Sequence, residues 1–333
     1  MTRKIRWGIL STARINRRLI PPLRQSERSD VVAVGSRTLE SARAFAARWE
    51  IPQAYGSYEE LLAAPDVDAI YIPLPNHLHC AWTVKAADAG KHVLCEKPLA
   101  LTVAEVDDMR RAAERNGVVL LEAFQFRFHP QTAMVREMIA AGQLGEVQVV
   151  KAHFTFFVDD PNNIRLKADM GGGSLWDVGC YPVSFMQGVL GQEPVEVSAW
   201  QRVGPTGVDL SFVGQMRYAS GTFGQFHSSF QAPYSVGAEV VGSDAILHLQ
   251  EAWRIAITGN SGLILTDRRG NEKHISVPDT DPFLCEVQAM EACVLDGAEP
   301  VMTLTHSRNI VAAINALYES ARTGRPVSLA SPA

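Results

Sequence analysis

The chain has few cysteines and spaces them poorly for any shared task. Its 5 thiols in 333 residues are Cys80, Cys95, Cys180, Cys285 and Cys293, with no CxxC pair among them. That spacing excludes a zinc ribbon and a disulfide framework, so the thiols are expected to serve as small core hydrophobes. Long apolar runs are missing too. No stretch reaches the roughly 18 residues that a membrane-crossing helix needs, and the apolar start from Ile5 to Leu10 is too short for a secretory signal core. The expectation is a cytoplasmic protein with no membrane partner. Basic clusters are absent and the formal net charge is -5, which leaves no electrostatic footprint for nucleic acid. What remains is ordinary globular material: 47% apolar and 20% charged residues, enough for either half to bury a core of its own.

The first third alternates strand and helix. Strands are expected at Ile5 to Leu10, Val31 to Val34, Ala69 to Ile72, His92 to Cys95 and Val118 to Leu121. Helical stretches lie between them, and the one from Cys80 to Ala89 stops at Gly90. Repeated strand and helix with short polar links specify a doubly wound parallel sheet. After a helix from Thr132 to Ala141 the period changes to two, in runs from Val147 to Phe157, Val195 to Arg202, Leu210 to Tyr218, Thr222 to Phe230, Ala238 to Val241 and Ala245 to Leu249. Turn signals such as Ala219-Ser220-Gly221 join them, which predicts a large, mostly antiparallel open sheet. Helices from Cys285 to Leu295 and Ser307 to Arg322 close the chain. The fold class is therefore α/β, a parallel N-terminal domain over residues 1–123 followed by an α+β domain over 124–333.

Ligand chemistry in a parallel sheet belongs to the turns at the carboxyl ends of its strands. The first turn reads Ser11-Thr12-Ala13-Arg14-Ile15-Asn16, with Ser11, Ala13 and Asn16 where a dinucleotide turn usually carries glycine. The glycine fingerprint fails, yet small residues still permit close approach, so a phosphate cradle and an ordinary strand-to-helix turn both stay open. The second turn is Ser36-Arg37-Thr38. A carboxylate there would accept from a ribose 2'-hydroxyl, whereas Arg37 can fork onto a 2'-phosphate, which favours NADP over NAD. In the third, Pro73-Leu74-Pro75-Asn76-His77-Leu78-His79, two prolines fix an extended exit that projects polar side chains. His77 and His79 have no third ligand nearby in sequence, so no metal is expected. The fourth, Glu96-Lys97-Pro98, puts an ammonium group over the same crevice.

Taken in order, Arg37, Pro75-Asn76 with His79, Glu96-Lys97-Pro98, Glu122-Ala123-Phe124 with Arg127-Phe128-His129-Pro130, and the run from Gly171-Gly172-Gly173 through Trp176-Asp177 to Tyr181-Pro182 resemble the Gfo/Idh/MocA family of nicotinamide-dependent oxidoreductases. Asp160 to Arg165 and Tyr181 are similar to its NADP-dependent D-xylose dehydrogenase and trans-dihydrodiol dehydrogenase groups. The resemblance implies a Rossmann domain, NADP as cofactor with NAD possible, a small sugar or diol as substrate, and homodimers or homotetramers built through the second sheet. Lys97 matches the family's active-site lysine, and Asp177 and Tyr181, four residues apart, share one face of a helix. Lys97, Asp177 and Tyr181 are the expected catalytic residues. A phenol of ordinary pKa about 10 needs a cation to become a base at neutral pH, and Lys97 is suited to supply it. Expected cofactor contacts are Ser11, Thr12, Ala13, Arg14 and Ile15 of the first turn, Ser36, Arg37 and Thr38 of the second, Pro73, Leu74, Asn76 and His79 of the third, Glu96 and Lys97 of the fourth, and Arg165. Arg127 either braces the fold or touches a ligand. Trp176 and Phe156 are aromatics for which core packing is the default. The implied reaction is hydride transfer at a carbinol or carbonyl carbon, with D-xylose 1-dehydrogenation as the best guess and trans-dihydrodiol dehydrogenase or sugar ketoreductase as rivals. A lyase or glycosidase using cofactor transiently, or a nucleotide-binding sensor, is the rival of another class.

Overall fold

The computed structural model describes residues 3–253 and 262–329. Two compact units emerge, Met1–Gln125 with Phe283–Ser307, and Phe126–Pro282 with Arg308–Ala333.

In the first unit β1 (Ile5–Leu10), β2 (Ser29–Gly35), β3 (Gln53–Tyr55), β4 (Ala69–Ile72), β5 (His92–Glu96) and β6 (Leu120–Ala123) form a 6-stranded sheet in the order β3-β2-β1-β4-β5-β6. Every pair is parallel. This is the doubly wound order in which the connection reverses between β1 and β4, opening a crevice at their carboxyl ends. β6 starts two residues later than its apolar run suggests. Gly117, at φ 62°, ends the helix Val103–Asn116, and Val118 is spent returning its amide to the Ala113 carbonyl.

The segment Phe283–Ser307 returns to this unit from the far end of the chain, a placement the sequence does not signal. Phe283, Val287 and Met290 of the helix Pro282–Asp296 join the core of Ile5, Trp7, Leu19, Ile20 and Val34. A buried polar relay fixes the register. Trp7 Nε1 donates to Ser29 Oγ at 3.0 Å, and Ser29 and Ser26 each donate to Glu291 Oε1 at 2.6 Å. Arg28 adds a two-pronged ion pair to Asp296 at 2.9 and 2.7 Å.

The second unit holds β7 (Val147–Thr155), β8 (Pro194–Val203), β9 (Asp209–Tyr218), β10 (Phe223–Ser229), β11 (Ser235–Gly242), β12 (Ala245–Leu249), β13 (Gly262–Asp267), β14 (Glu272–Ser276) and β15 (Val327–Ser328). They make a 9-stranded sheet in the order β14-β13-β12-β11-β7-β10-β9-β8-β15. β7 and β10 pair in parallel, and the other pairs are antiparallel. β13 and β14 carry too few buried residues to show a period in the sequence. One face packs on helices, among them Cys180–Leu190 against β7 and β10. The other leaves Trp200, Val213 and Phe223 exposed at 62%, 48% and 51%.

Candidate functional site

The first-unit candidates lie where the parallel strands end. Ser11 follows β1 with φ 117°, a conformation that glycine adopts freely and serine only under strain. The glycine is absent but its backbone turn is kept. Asn16, fully buried, donates from Nδ2 to the Ser11 carbonyl at 2.9 Å, and Ser11 Oγ accepts from the Ala13 amide at 3.3 Å. Among the described residues nothing accepts from the amides of Thr12, Arg14 and Ile15, which precede the helix Asn16–Gln25. Free amides at a helix start, with small side chains around them, fit a dinucleotide's pyrophosphate. Asn16 was not among the residues expected from sequence, although it stands at a fingerprint position.

After β2, Ser36 is buried and ties its amide to the Tyr55 carbonyl, and Thr38 caps the helix Leu39–Arg48 by accepting from the Ser41 amide. Thr38 thus has a structural task that sequence did not assign. Arg37 between them is exposed, with no hydrogen bond or ion pair among the described residues. Its charge is felt by Tyr58, whose phenol burial pushes up and Arg37 pulls down. A guanidinium uncommitted to any protein carboxylate fits a 2'-phosphate.

Beyond β4, Pro73 and Leu74 are buried, while Asn76 and His77 sit half-buried on a single 3-10 turn, Asn76–Leu78. His79 differs from the expectation of a cofactor contact. It is 0% exposed, and its two ring nitrogens lie 2.8 Å from the carbonyl oxygens of Leu74 and Pro98. The ring is enclosed between the third turn and the fourth, donating to one of the two carbonyls when neutral, and leaves no surface for a ligand. Burial lowers its pKa, against the pull of the two carbonyls. In the fourth turn Lys97 is half-buried and precedes a cis bond to Pro98. Tyr71 Oη donates to Glu96 Oε1 at 2.5 Å, and burial with that carboxylate holds the phenol proton in place. Glu122 accepts from the Leu99 amide at 2.8 Å. Tyr71 and Glu122 are therefore supports for the Glu96-Lys97-Pro98 turn. Neither has a local sequence signature of that role.

The second-unit candidates are built around the glycine-rich run. Asp160 and Asn163 form consecutive turns, accepting from the amides of Asn162 at 2.9 Å and Arg165 at 3.1 Å. Arg165 then lies over the Phe156 ring at 5.7 Å and donates from Nε to Asp177 Oδ2 at 2.6 Å. Sequence named both residues but not their pairing. Gly172 lets the chain cross itself, since a Cβ there would stand 2.5 Å from the Arg165 carbonyl oxygen. Gly173, at φ 124°, requires a left-handed backbone that other residues resist. These glycines serve the loop's own packing before any ligand's.

Asp177 lies on Leu175–Gly179, which winds as a π-helix and passes into the α-helix Cys180–Leu190 that starts one residue before Tyr181. A regular α-helix was expected. The wider turn is a feature that occurs frequently at functional sites. Tyr181 is 8% exposed, ringed by Phe126, Phe154 and Trp253 at centroid distances of 5.6, 5.3 and 5.9 Å. Arg127 is buried and donates to the Ser184 carbonyl at 2.7 Å, bracing the same helix. Trp176 packs on Tyr318 at 5.8 Å. Among the described residues no group of three or more His, Cys, Asp and Glu could hold a metal. No described helix is long and apolar enough to cross a membrane.

Residues 5–124 match the model of an oxidoreductase family with an NAD-binding Rossmann fold, and residues 132–248 match the GFO/IDH/MocA C-terminal domain. The chain is 38% identical over 325 residues to D-xylose 1-dehydrogenase (NADP(+)) 2 of Haloferax volcanii, covering 97% of this chain and 99% of that one. It is 38% identical over 248 residues to trans-1,2-dihydrobenzene-1,2-diol dehydrogenase of Bos taurus, 74% of each. Among solved structures, aldose-aldose oxidoreductase from Caulobacter crescentus superposes with a TM-score of 0.91 at 28% identity, over 98% of this chain and 100% of the other. A 3-ketoreductase from Actinomadura kijaniata, solved with NADP and TDP-benzene, gives 0.90 at 30% identity over 95% and 98%. With strand order, turn residues and full-length similarity in agreement, the chain belongs to the Gfo/Idh/MocA family of oxidoreductases.

Proposed function

We propose that this enzyme is an NADP-dependent dehydrogenase that oxidises a ring carbinol of a small sugar, D-xylose at its anomeric carbon being the first candidate. The observation that carries the reading is the 38% identity to an NADP-dependent D-xylose dehydrogenase across 97% of the chain. Arg37 supports the cofactor choice, with the residues Ser11 to Ile15 cradling the pyrophosphate and Glu96 and Lys97 beside the nicotinamide ribose. The chemistry that a bound nicotinamide would supply is acceptance of hydride from the carbinol carbon. The protein must then remove the hydroxyl proton. Tyr181 takes it, Lys97 supplies the positive charge that brings a phenol into range, and Asp177 orients the sugar hydroxyl. Arg165 fixes the orientation of the Asp177 carboxylate through their 2.6 Å ion pair.

A second reading has a specific observation in its favour. A trans-1,2-dihydrobenzene-1,2-diol dehydrogenase is 38% identical over 248 residues, 74% of each chain, which makes a trans-dihydrodiol the alternative substrate. Both readings are tested by one screen. The protein is mixed with NADP or NAD and D-xylose, other aldoses, inositols or a trans-dihydrodiol, and the reduced-nicotinamide band is followed. Reduction with D-xylose and NADP is expected, and no reduction with any of them would sink both readings. We also propose that the open sheet face, with Trp200, Val213 and Phe223 exposed, is covered by a second copy. A monomeric mass by light scattering at micromolar concentration would contradict it.

A further inference from the structure

Asp209 opens β9 with a carboxylate that is 2% exposed. A buried ionisable group needs a full set of partners, and its partners come from two places. Oδ2 accepts from Ser174 Oγ at 2.6 Å and from the Leu175 amide at 2.8 Å, while Oδ1 accepts from Tyr318 Oη at 2.6 Å. Ser174 and Leu175 begin the π-helical turn that carries Asp177, whereas Tyr318 belongs to the helix Leu304–Thr323. The Leu175 amide is one of the donors that a helix start leaves without an internal acceptor. At Gly173 a Cβ would overlap Asp209 Oδ1 and stand 2.8 Å from Tyr318 Oη, so the missing side chain is what admits the carboxylate. Burial and the neighbouring charge of Asp209 hold the Tyr318 proton on its oxygen, which makes the phenol the donor.

We propose that Asp209 is a positioning residue: braced by Tyr318, its carboxylate fixes Ser174 and the Leu175 amide and so sets the rotation of the turn presenting Asp177 and Tyr181. The inference rests on the roles given to Asp177 and Tyr181 above. Asp209 touches no reacting atom. Its effect is geometric, and a displacement on the order of 1 Å at a reacting group costs about 10²-fold in rate.

Tyr318→Phe removes one hydroxyl and keeps the ring, so it should lower kcat about tenfold with the sugar KM and the NADP dissociation constant changed by no more than about twofold. Asp209→Asn should lower kcat by about 30-fold or more, and the double variant should be no worse than Asp209→Asn, because the two act in series. Amide hydrogen exchange over residues 174–180 should quicken in each. A role in stability alone would lower the melting temperature while kcat stayed within about twofold of wild type, and that result would overturn the proposal. If Asp209→Asn does not fold, Tyr318→Phe decides by the same criterion. If wild type oxidises no sugar or diol, the substrate reading has failed, and exchange over 174–180 still decides. Unchanged exchange in Tyr318→Phe would then overturn the positioning role.

Discussion

β4 and β9 differ in what their side chains meet. All four residues of β4 are buried, because helices cover both faces of a parallel sheet, whereas β9 alternates buried Phe212, Gly214 and Met216 with exposed Val213, Gln215 and Arg217. The first sheet has no face to spare for a ligand, so its chemistry sits in the turns after each strand. These turns are local in sequence: Ser11, Arg37, Asn76 and Lys97 each follow a strand within a few residues. In the second unit the candidate residues Asp177 and Tyr181 lie on and just after one helical turn whose supports are distant. Ser174 and Asp209 are 35 residues apart, Tyr318 and Asp209 are 109. In the function proposed above, the first unit would hold the cofactor and the second would act on the substrate.

The sharpest way to break that division is at its two ends. Tyr181→Phe removes the proposed base, so turnover should fall by about 10² to 10⁴ with NADP affinity almost unchanged. Lys97→Met should lower turnover as well and shift the basic limb of the pH profile upward in whatever activity remains. If Tyr181→Phe keeps near-normal turnover while Lys97→Met abolishes it, the lysine is the proton-transfer group. Arg37→Asp belongs to the other end. It should weaken NADP by a factor on the order of 10 to 10², far more than NAD, because a charge-assisted contact becomes a repulsion. Titration of each cofactor by fluorescence tests it, and equal losses would refute the assignment.

How far each unit could be read from sequence follows the same contrast. Strand-helix alternation and two-residue alternation were enough to name the class of both sheets, since burial on two faces and burial on one leave different periods, but not to find the short or exposed strands β3, β13, β14 and β15. Lys97 stood out by its turn at the end of a strand, whereas Asp177 and Tyr181 could be named only through the family motif. The return of Phe283–Ser307 to the first unit could not be read, because Glu291 meets Ser29 across 262 residues. Likewise His79 looked like one more polar side chain after a strand. Only the paired carbonyls of Leu74 and Pro98 turn it into a brace. Asp209 was hidden because a single carboxylate before an apolar run carries no mark of its partners.

Acid should weaken both units. Burial lowers the pKa of His79 and His92 in the first, and of His129, His153 and His227 in the second. An imidazole whose folded pKa lies below the unfolded value of 6.5 binds more protons unfolded than folded. Its contribution is therefore complete above pH 6.5 and is lost as the pH falls from there towards the folded value. Melting temperature should fall between pH 7 and about pH 5. His79→Gln should flatten that dependence more than His227→Gln, since His79 is wholly enclosed and His227 is exposed, stacked on His153 at 5.1 Å. Equal slopes in the two variants would show that enclosure is not what sets the titration.

The smallest effect separates a solvated surface from a covered one. Lys85 in the first unit pairs with Glu59 at 3.0 Å and lies over the Trp82 ring at 4.0 Å, on the exposed side of the helix His79–Asp88. Lys151 in the second pairs with Glu239 at 2.7 Å on the open face of the 9-stranded sheet, where His248 also reaches Glu239 at 3.1 Å. Exposed pairs contribute about 0 to 1 kcal/mol, so Lys85→Met should cost at most about 1 kcal/mol in urea unfolding and the cost should not depend on protein concentration. Lys151→Met should behave the same way in a free monomer. If a second copy covers the face, the carboxylate of Glu239 loses its cation in a desolvated interface, and the cost should grow as protein concentration is raised through the dimerisation range. A concentration-independent cost for Lys151→Met, equal to that for Lys85→Met, would mean that this sheet face meets water just as the helix does.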